Sequence, residues 1–306
     1  MNRSVCALLC SHNRKAQTLA CLRALHASAL HVSALHASAL HASATRIDIT
    51  LSAVLVDDGS SDGTADAVAR EFPWVQVLHG DGTLYWCRSM HRAFASAMHG
   101  DHNHDHDHYL WLNDDTLLHA DALVQLLACA AERAAVLRDP VIVVGSTVDQ
   151  RSGKPSYGGR VGTSRWRPTH WRLLTPSDVA QRVDTFDGNL VLVSDEAARR
   201  TGNLDESFEH AMGDTDYALR ARRAGVALWL APGVLASCAV NATAGGFGDS
   251  QLPLAQRWRA MMGRKGLPCR SWWRFTRRHG GVVWPLVFAW PYVRVLLGRS
   301  ARPTQD

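Results

Sequence analysis

The sequence predicts an α/β protein: a mixed sheet flanked by helices over residues 1–235, then a helical, basic and tryptophan-rich extension over 236–306. Three observations lead there. Short apolar runs of strand length alternate with segments whose apolar residues recur at helical spacing. The runs 5–10, 47–56 and 109–112 each stop at a polar turn, and a helical pattern starts beyond it. The alternation closes at Ala231-Pro232-Gly233, after which arginine and tryptophan take over. With 306 residues, 46% hydrophobic and 20% charged, the composition is ordinarily globular, with room for one large domain or a domain plus an extension.

The run 5–10 reads as a buried first strand, ending in the polar loop Ser11-His12-Asn13-Arg14. A helix with Leu19, Leu22 and Leu25 on one face follows. Residues 26–44 then repeat HASAL, HVSAL, HASAL, HASA. A period of five keeps no helix face apolar, so a variable extension of the helix end is expected; His26, His31, His36 and His41 could otherwise hold a metal ion. The next strand, 47–56, runs into Asp57-Asp58-Gly59-Ser60-Ser61-Asp62-Gly63-Thr64. Asp62 or Thr64 can cap the helix beyond, whose buried face would be Ala65, Val68, Ala69 and Phe72. The glycines are not spaced as G-x-G-x-x-G, but carboxylates at a strand end can accept from a base N–H or from ribose hydroxyls. A short strand, 75–78, leads to the turn Gly80-Asp81-Gly82-Thr83, whose glycines allow a close backbone approach to a ligand. Leu84-Tyr85-Trp86 begins a helix to Met98; Tyr85 and Trp86 would pack on a sugar or base, or in the core.

The His-rich stretch 101–108 reads as a solvated loop that binds metal adventitiously. The stretch YLWLNDDT, 109–116, is the centre of the chain: a buried strand delivers Asn113, Asp114 and Asp115 to its carboxyl end, ahead of a helix with Leu123, Leu126, Leu127 and Ala130. Ligands of open α/β sheets bind there. Two acids at that place suit a divalent cation, Mg2+ or Mn2+, that in turn holds a diphosphate. The plainer alternative is a helix cap at Asp114 and a solvated Asp115. Further on, 141–148 is strand-like and 149–182 is expected to be irregular; its Trp166 and Trp171 would flank a sugar ring or pack locally. Phe186-Asp187-Gly188-Asn189 enters the strand 190–193. His210-Ala211-Met212-Gly213-Asp214-Thr215-Asp216-Tyr217 enters a helix with Leu219, Arg220 and Ala224 that stops at Gly225; Asp216 and Arg220 are expected to hold it in place.

The seven cysteines are odd in number and form no CxxC pair, so reduced, mostly buried thiols of a cytoplasmic protein are expected. The run 5–10 is too short for a signal peptide. The net charge of +5 is unevenly placed: beyond Asp249 the side chains are basic, up to Asp306. The apolar stretch 282–297 is too short to span a bilayer. With Trp258, Trp272 and Trp273 it suits a segment lying in a membrane interface, or a tail packed on the core. No nucleic-acid-binding motif accompanies the charge, and no nucleic-acid partner is expected.

The order SHNR, VDDGSSDGT, GDGTLYW, WLNDDT resembles the family 2 glycosyltransferases of the GT-A fold, over roughly residues 4–235. The resemblance implies nucleotide contacts at Ser11, Asn13, Arg14, Asp57, Asp58, Gly82, Asn113 and Asp114, with the metal on Asp115 and Asp114. It places Trp86, Gly188, Asn189 and His210 near the donor and acceptor sugars. That family's ED-x-D pattern maps its catalytic base onto Asp214, although Gly213 stands where a glutamate is usual. The implied reaction is inverting transfer from a nucleoside diphosphate sugar to a glycan or lipid-linked acceptor in bacterial surface-polysaccharide synthesis. The implied place is the cytoplasm or the inner face of the plasma membrane. Two rivals stand beside it. A sugar nucleotidyltransferase would open with a glycine-rich loop, which SHNR is not. A non-enzymatic metal-binding or membrane-adaptor protein would rest on the histidine repeats and basic tail.

Overall fold

The computed structural model describes residues 2–37, 48–99, 106–164, 168–240 and 246–298. Strand β1 (Asn2–Ser11) leads into helix α1 (Lys15–Ala37). Thr18, Cys21, Leu22, Leu25, Ser28 and Ala29 of that helix are buried. The first copy of the five-residue repeat thus still contributes Ser28 and Ala29 to the core, and the helix runs on to Ala37. Residues 38–47, with His41, lie outside the described residues.

Strand β2 (Asp48–Asp57) pairs parallel with β1 along its whole length, Ser11 opposite Asp57. The loops SHNR and DDGSSDGT therefore open at one level. Helix α2 (Thr64–Glu71) buries Thr64, Ala67 and Val68, with Phe72 at its end. Ala69, expected inside, is exposed, because the helix turns Ala67 inward in its stead. Strand β3 (Val75–His79) pairs parallel with β2, and helix α3 (Tyr85–His99) crosses back over the sheet. Strand β4 (His108–Leu112) then adds to the other side of β1. The expectation of a solvated 101–108 loop fails at its described end: His106 and His108 are buried, and burial pushes the His108 imidazole down to about 4. Residues 101–105 lie outside the described residues.

The second half completes the sheet: β5 (Leu117–Leu118), α4 (Ala122–Leu137), β6 (Val141–Val144), β7 (Thr147–Val148), β8 (Gly159–Gly162), β9 (Trp171–Leu173), β10 (Gln181–Arg182), β11 (Thr185–Phe186) and β12 (Leu190–Ser194). After α5 (Asp195–Thr201) and α6 (Gly213–Arg223) come β13 (Ala227–Leu230), β14 (Ala236–Ser237), α7 (Leu254–Met262), α8 (Cys269–His279) and α9 (Trp284–Leu296). The main sheet has eight strands in the order β10-β13-β6-β12-β4-β1-β2-β3. Strand β12 runs antiparallel to both β4 and β6 in its middle.

Both faces of the sheet are covered, which is why its strands read as unbroken apolar runs. Cys6 and Leu8 of β1 pack in the cluster with α3 and α6; Val5, Ala7 and Leu9 pack in the cluster with α1 and α4.

Three expectations change. The stretch 141–148 is two strands, broken at Gly145: β6 joins the main sheet, and β7 joins a small sheet of order β5-β14-β7. The described residues of 149–182 are irregular only in part: β8 and β9 pair with β11 in a second small antiparallel sheet, and β10 joins the edge of the main one. Its strands are two to four residues long, so no alternation marked them. Trp171 packs edge-on against Phe275 of α8, centroids 6.2 Å apart, in line with the local-packing alternative; Trp166 lies outside the described residues. Finally, the core runs past residue 235, through β14 to Val240, whose N–H donates to Asp149 at 3.1 Å.

The extension packs on the core. Met261, Trp272, Phe275, Tyr292 and Val295 lie in the same buried cluster as Trp111 and Val191 of the main sheet. Among the described residues no helix is long and apolar enough to cross a membrane.

Candidate active site

Strands β1, β2 and β3 step one way across the sheet, and β4 is laid down on the other side of β1. The switch point therefore falls between β1 and β4, where an α/β sheet opens its ligand crevice. The loop after β1 carries Arg14, and the turn after β4 carries the paired acids. Arg14 donates to Asp114 Oδ1 at 2.8 Å and to Asp115 Oδ2 at 2.7 Å. The other oxygen of Asp114, Oδ2, is buried and left free by Arg14, with the Ser11 and Thr18 hydroxyls close enough to the carboxyl to help lower it. Burial pushes the Asp114 carboxyl up to about 6, against the pull of Arg14. Asp114 is thus no exposed helix cap: α4 begins eight residues later, beyond Asp121.

The other loops interlock beside this pair. The Asn13 N–H donates to Ser60 Oγ at 2.9 Å, and Asn13 Oδ1 accepts from the Ser61 N–H at 2.8 Å. The Asp58 N–H donates to the Ser11 carbonyl at 2.9 Å. Ser11 Oγ sits 2.8 Å from Thr18 Oγ1. Asp57 accepts from the Ser60 N–H and hydroxyl and so closes its own turn. Asp58 is buried and accepts from the N–H groups of Gly82, Leu84 and Tyr85 at 2.9, 3.3 and 2.9 Å. Both acids thus shape the loops that carry them, whatever ligand those loops meet.

Gly59 (φ 72°) and Gly82 (φ 87°) are both left-handed, and a Cβ on Gly59 would stand 2.8 Å from the Gly82 nitrogen. Gly59→Ala is expected to cost at least about 1–2 kcal/mol, read as a lower urea midpoint, and to weaken nucleotide binding. An unchanged midpoint would mean that the loops adjust freely.

A run of contacts leads from the acid pair to Asp214. Asp115 Oδ1 accepts from the Cys238 thiol, Sγ to oxygen 3.5 Å. Cys238 in turn accepts from Asn189 Nδ2 at 3.5 Å. Burial pushes this thiol up to about 12, so it stays a neutral donor. The Asn113 N–H donates to the Asn189 carbonyl at 3.1 Å, and Asn113 Oδ1 accepts from the Trp86 indole at 2.7 Å. Trp86 lies against Gly188, where a Cβ would come within 2.5 Å of its ring. The Gly188 N–H donates to Asp214 Oδ2 at 3.1 Å.

Asp214 stands in the first turn of α6, and its Oδ1 accepts from the Thr215 N–H at 2.7 Å. Burial, then the nearby Asp187, raises its carboxyl to about 6; hydrogen bonds from Thr215 and Gly188, and Arg160, oppose the rise. Arg160 is itself paired with Asp187 at 2.8 Å. A Cβ on Gly213 would overlap Cys87 Sγ, so a glutamate at 213 would need that thiol displaced. His210 lies in the turn before α6, partly buried, and burial and Lys265 push its imidazole down.

The extension reaches this region. Asp216, fully buried, accepts from Arg220 at 2.8 Å and from Arg278 at 2.6 Å, and lies 2.8 Å from His279 Nε2. Burial opposes its charge; hydrogen bonds from His279, Arg220 and Arg278 outweigh that and hold its carboxyl below the usual range. Arg220 and Asp216 hold α6, as expected, and α8 joins them. Arg264 pairs with Glu209 at 2.8 Å and lies 4.1 Å over the Tyr85 ring.

The structure thus gathers Arg14, Asn113, Asp114, Asp115, Trp86, Gly188, Asn189 and Asp214 into one connected set. Asn13, Asp57, Asp58 and Gly82 form the loops next to it. Sequence reasoning missed Cys238, Arg160 and the role of Asp187. Only Asp187 carried a signal, being an acid in the turn before a strand.

No protein-family model matches the chain, and no curated protein does. Among solved structures the chain is similar to S. aureus TarS, with a TM-score of 0.51 and 12% identity over 78% of this chain and 37% of that one. It is similar to TarS 1–349 in complex with UDP, with a TM-score of 0.50 and 10% identity over 85% of this chain and 66% of that one. For TarS 1–349 in complex with UDP-GlcNAc the TM-score is 0.50 and the identity 11%, over 78% of this chain and 59% of that one. The chain spans less than two thirds of each of these structures. The likeness is one of fold: the mixed sheet flanked by helices is the GT-A architecture, with a helical part at the C-terminal end.

Proposed function

We propose that the chain is an inverting glycosyltransferase. It moves a sugar from a nucleoside diphosphate sugar to a hydroxyl of a glycan or lipid-linked acceptor, on the cytoplasmic side of a membrane. One observation carries this reading: a partly buried Asp214, its carboxyl raised to about 6, joined by continuous contacts to an arginine and two acids at the sheet's switch point. A carboxylate of that basicity is matched to taking a proton from a hydroxyl near neutral pH. Guanidinium groups suit phosphate oxygens. A nucleotidyltransferase would have less use for Asp214, because its attacking phosphate is already anionic. The similar fold solved with UDP and UDP-GlcNAc supports a nucleotide sugar as donor.

In the proposed reaction the acceptor oxygen bonds to the anomeric carbon, and its proton passes to Asp214. The bond from the anomeric carbon to the diphosphate oxygen breaks, and the electron pair leaves with the nucleoside diphosphate. Attack opposite the leaving group inverts the configuration. Gly188 and Thr215 orient the base through their N–H groups. Arg14 supplies positive charge for the diphosphate.

A divalent cation, Mg2+ or Mn2+, fits the residues present. Asp114 Oδ2 is a buried acceptor that Arg14 leaves free, and Asp115 stands next to it. Among the described residues no three His, Cys, Asp or Glu side chains converge on a metal-sized place, so the ion would be shared with diphosphate oxygens, as Mg2+ commonly is. When bound, it offsets charge on the departing diphosphate. The grip of Arg14 on both acids favours a second reading, in which its guanidinium alone supplies that charge.

Calorimetric titration with a panel of nucleoside diphosphates and their sugars, beginning with UDP and UDP-GlcNAc, tests both. One nucleotide binding only with Mg2+ or Mn2+ is the expected result. Binding indifferent to chelator would favour Arg14 alone, and no binding by any nucleotide would remove the transferase reading.

A further inference from the structure

Helix α9 is apolar but for Arg294 in its last turn, yet only one side is covered. Tyr292 and Val295 are buried against the core. Val282, just before the helix, is 98% exposed and Leu286 73%, and Trp290, Val293, Leu296 and Leu297 continue the exposed row. These positions recur every three to four residues, so they form one stripe. Its end meets α8, where Trp273 packs edge-on against Trp284 at 6.3 Å and Arg277 lies 5.1 Å over Trp273. Arg270 and Arg277 are exposed on that side of α8. From residue 250 to the last described residue, 298, the chain contains no aspartate or glutamate.

We infer that this stripe and its arginine flank dock on an anionic lipid bilayer, with α9 lying in the plane of the interface. The 13-residue helix is about 20 Å long, too short for the roughly 30 Å of a bilayer core. An apolar stripe flanked by arginine and tryptophan is the make-up of segments that lie in the headgroup boundary. Charge selects the occupant. A second copy would bring a like-charged arginine flank against this one, whereas anionic headgroups complement it. The inference deepens the reading of a membrane-presented acceptor and is tested apart from it, since docking needs no catalysis.

The full chain is sedimented with vesicles of phosphatidylcholine alone, or of equal parts phosphatidylcholine and phosphatidylglycerol. Binding to the mixed vesicles is expected, weak on the neutral ones and weakened by salt. Leu286→Glu with Trp290→Glu is expected to lower it by about tenfold or more, and Arg270→Glu with Arg277→Glu by roughly tenfold. All four positions are exposed, so circular dichroism should show the fold unchanged. Failure of the wild type to bind mixed vesicles overturns the inference. So does binding that the Leu286 and Trp290 changes leave intact, or a dimer in light scattering that those changes abolish while vesicles bind nothing.

Discussion

Asp214→Asn is expected to lower kcat roughly 10²–10⁴-fold and to leave donor affinity unchanged. The side chain is held by the Gly188 and Thr215 N–H groups, contacts that orient it without any nucleotide. Its loss therefore removes proton acceptance and not the donor loops. Wild-type kcat/KM should rise with pH through about 6, where Asp214 ionises. Asp114 titrates in the same range, so the variant is informative twice over. If the acid limb vanishes with Asp214→Asn, the limb belongs to Asp214. If it survives, it belongs to Asp114 and the assignment of the base is wrong. Stability gives a control. The folded carboxyl binds its proton more tightly than the ordinary value of 3.8 allows. Folding therefore disfavours the ionised form above pH of about 6, and that penalty fades as the pH falls toward the unfolded value. Asparagine sheds the penalty at neutral pH and loses one backbone hydrogen bond, at about 1 kcal/mol. The relief is at least as large as the loss, so the melting temperature at neutral pH should not fall while activity collapses.

How much of this was legible depended on where each signal is written. The strands of the main sheet were readable because burial on both faces makes them apolar without interruption, as at 5–10 and 109–112. The loops were readable because their acids, asparagine and glycines stand together: Asp57, Asp58 and Gly59 after one strand, Asn113, Asp114 and Asp115 after another. What the chain order could not show was which loops touch. Asp58 reaches across to the N–H groups of Gly82, Leu84 and Tyr85, and Arg14 reaches both acids of a loop 100 residues away. Cys238 was one of seven scattered thiols until strand β14 set it beside Asp115. The small sheet β5-β14-β7 was invisible for another reason: its strands have two residues each, too few to show any period. The extension carried two apolar faces in one sequence pattern, so packing on the core and contact with lipid looked like alternatives. The structure gives α9 a covered face and an uncovered one.

Asp115→Ala is expected to lower kcat/KM roughly 10²–10³-fold and to abolish the metal dependence of donor binding. The argument is one of charge around a diphosphate. In the wild type two carboxylates face one guanidinium, and their surplus negative charge can hold a divalent ion that the diphosphate shares. Without Asp115, Arg14 keeps Asp114 alone, and the pair is neutral. Repulsion between the acids also disappears, so the Asp114 carboxyl, raised to about 6, should ionise more readily. A cation then meets a single carboxylate already paired with arginine, and it binds poorly. The competing reading expects the reverse. If Arg14 alone faces the diphosphate, freeing it from Asp115 leaves donor binding intact or strengthens it, and chelator does nothing even to the wild type. Arg14→Ala completes the comparison. Under the metal reading it keeps metal-dependent binding, because both acids turn to the ion. Under the other reading it loses the donor altogether. Calorimetry on the wild type and the two variants, each with Mn2+ and with chelator, separates the two readings without relying on turnover.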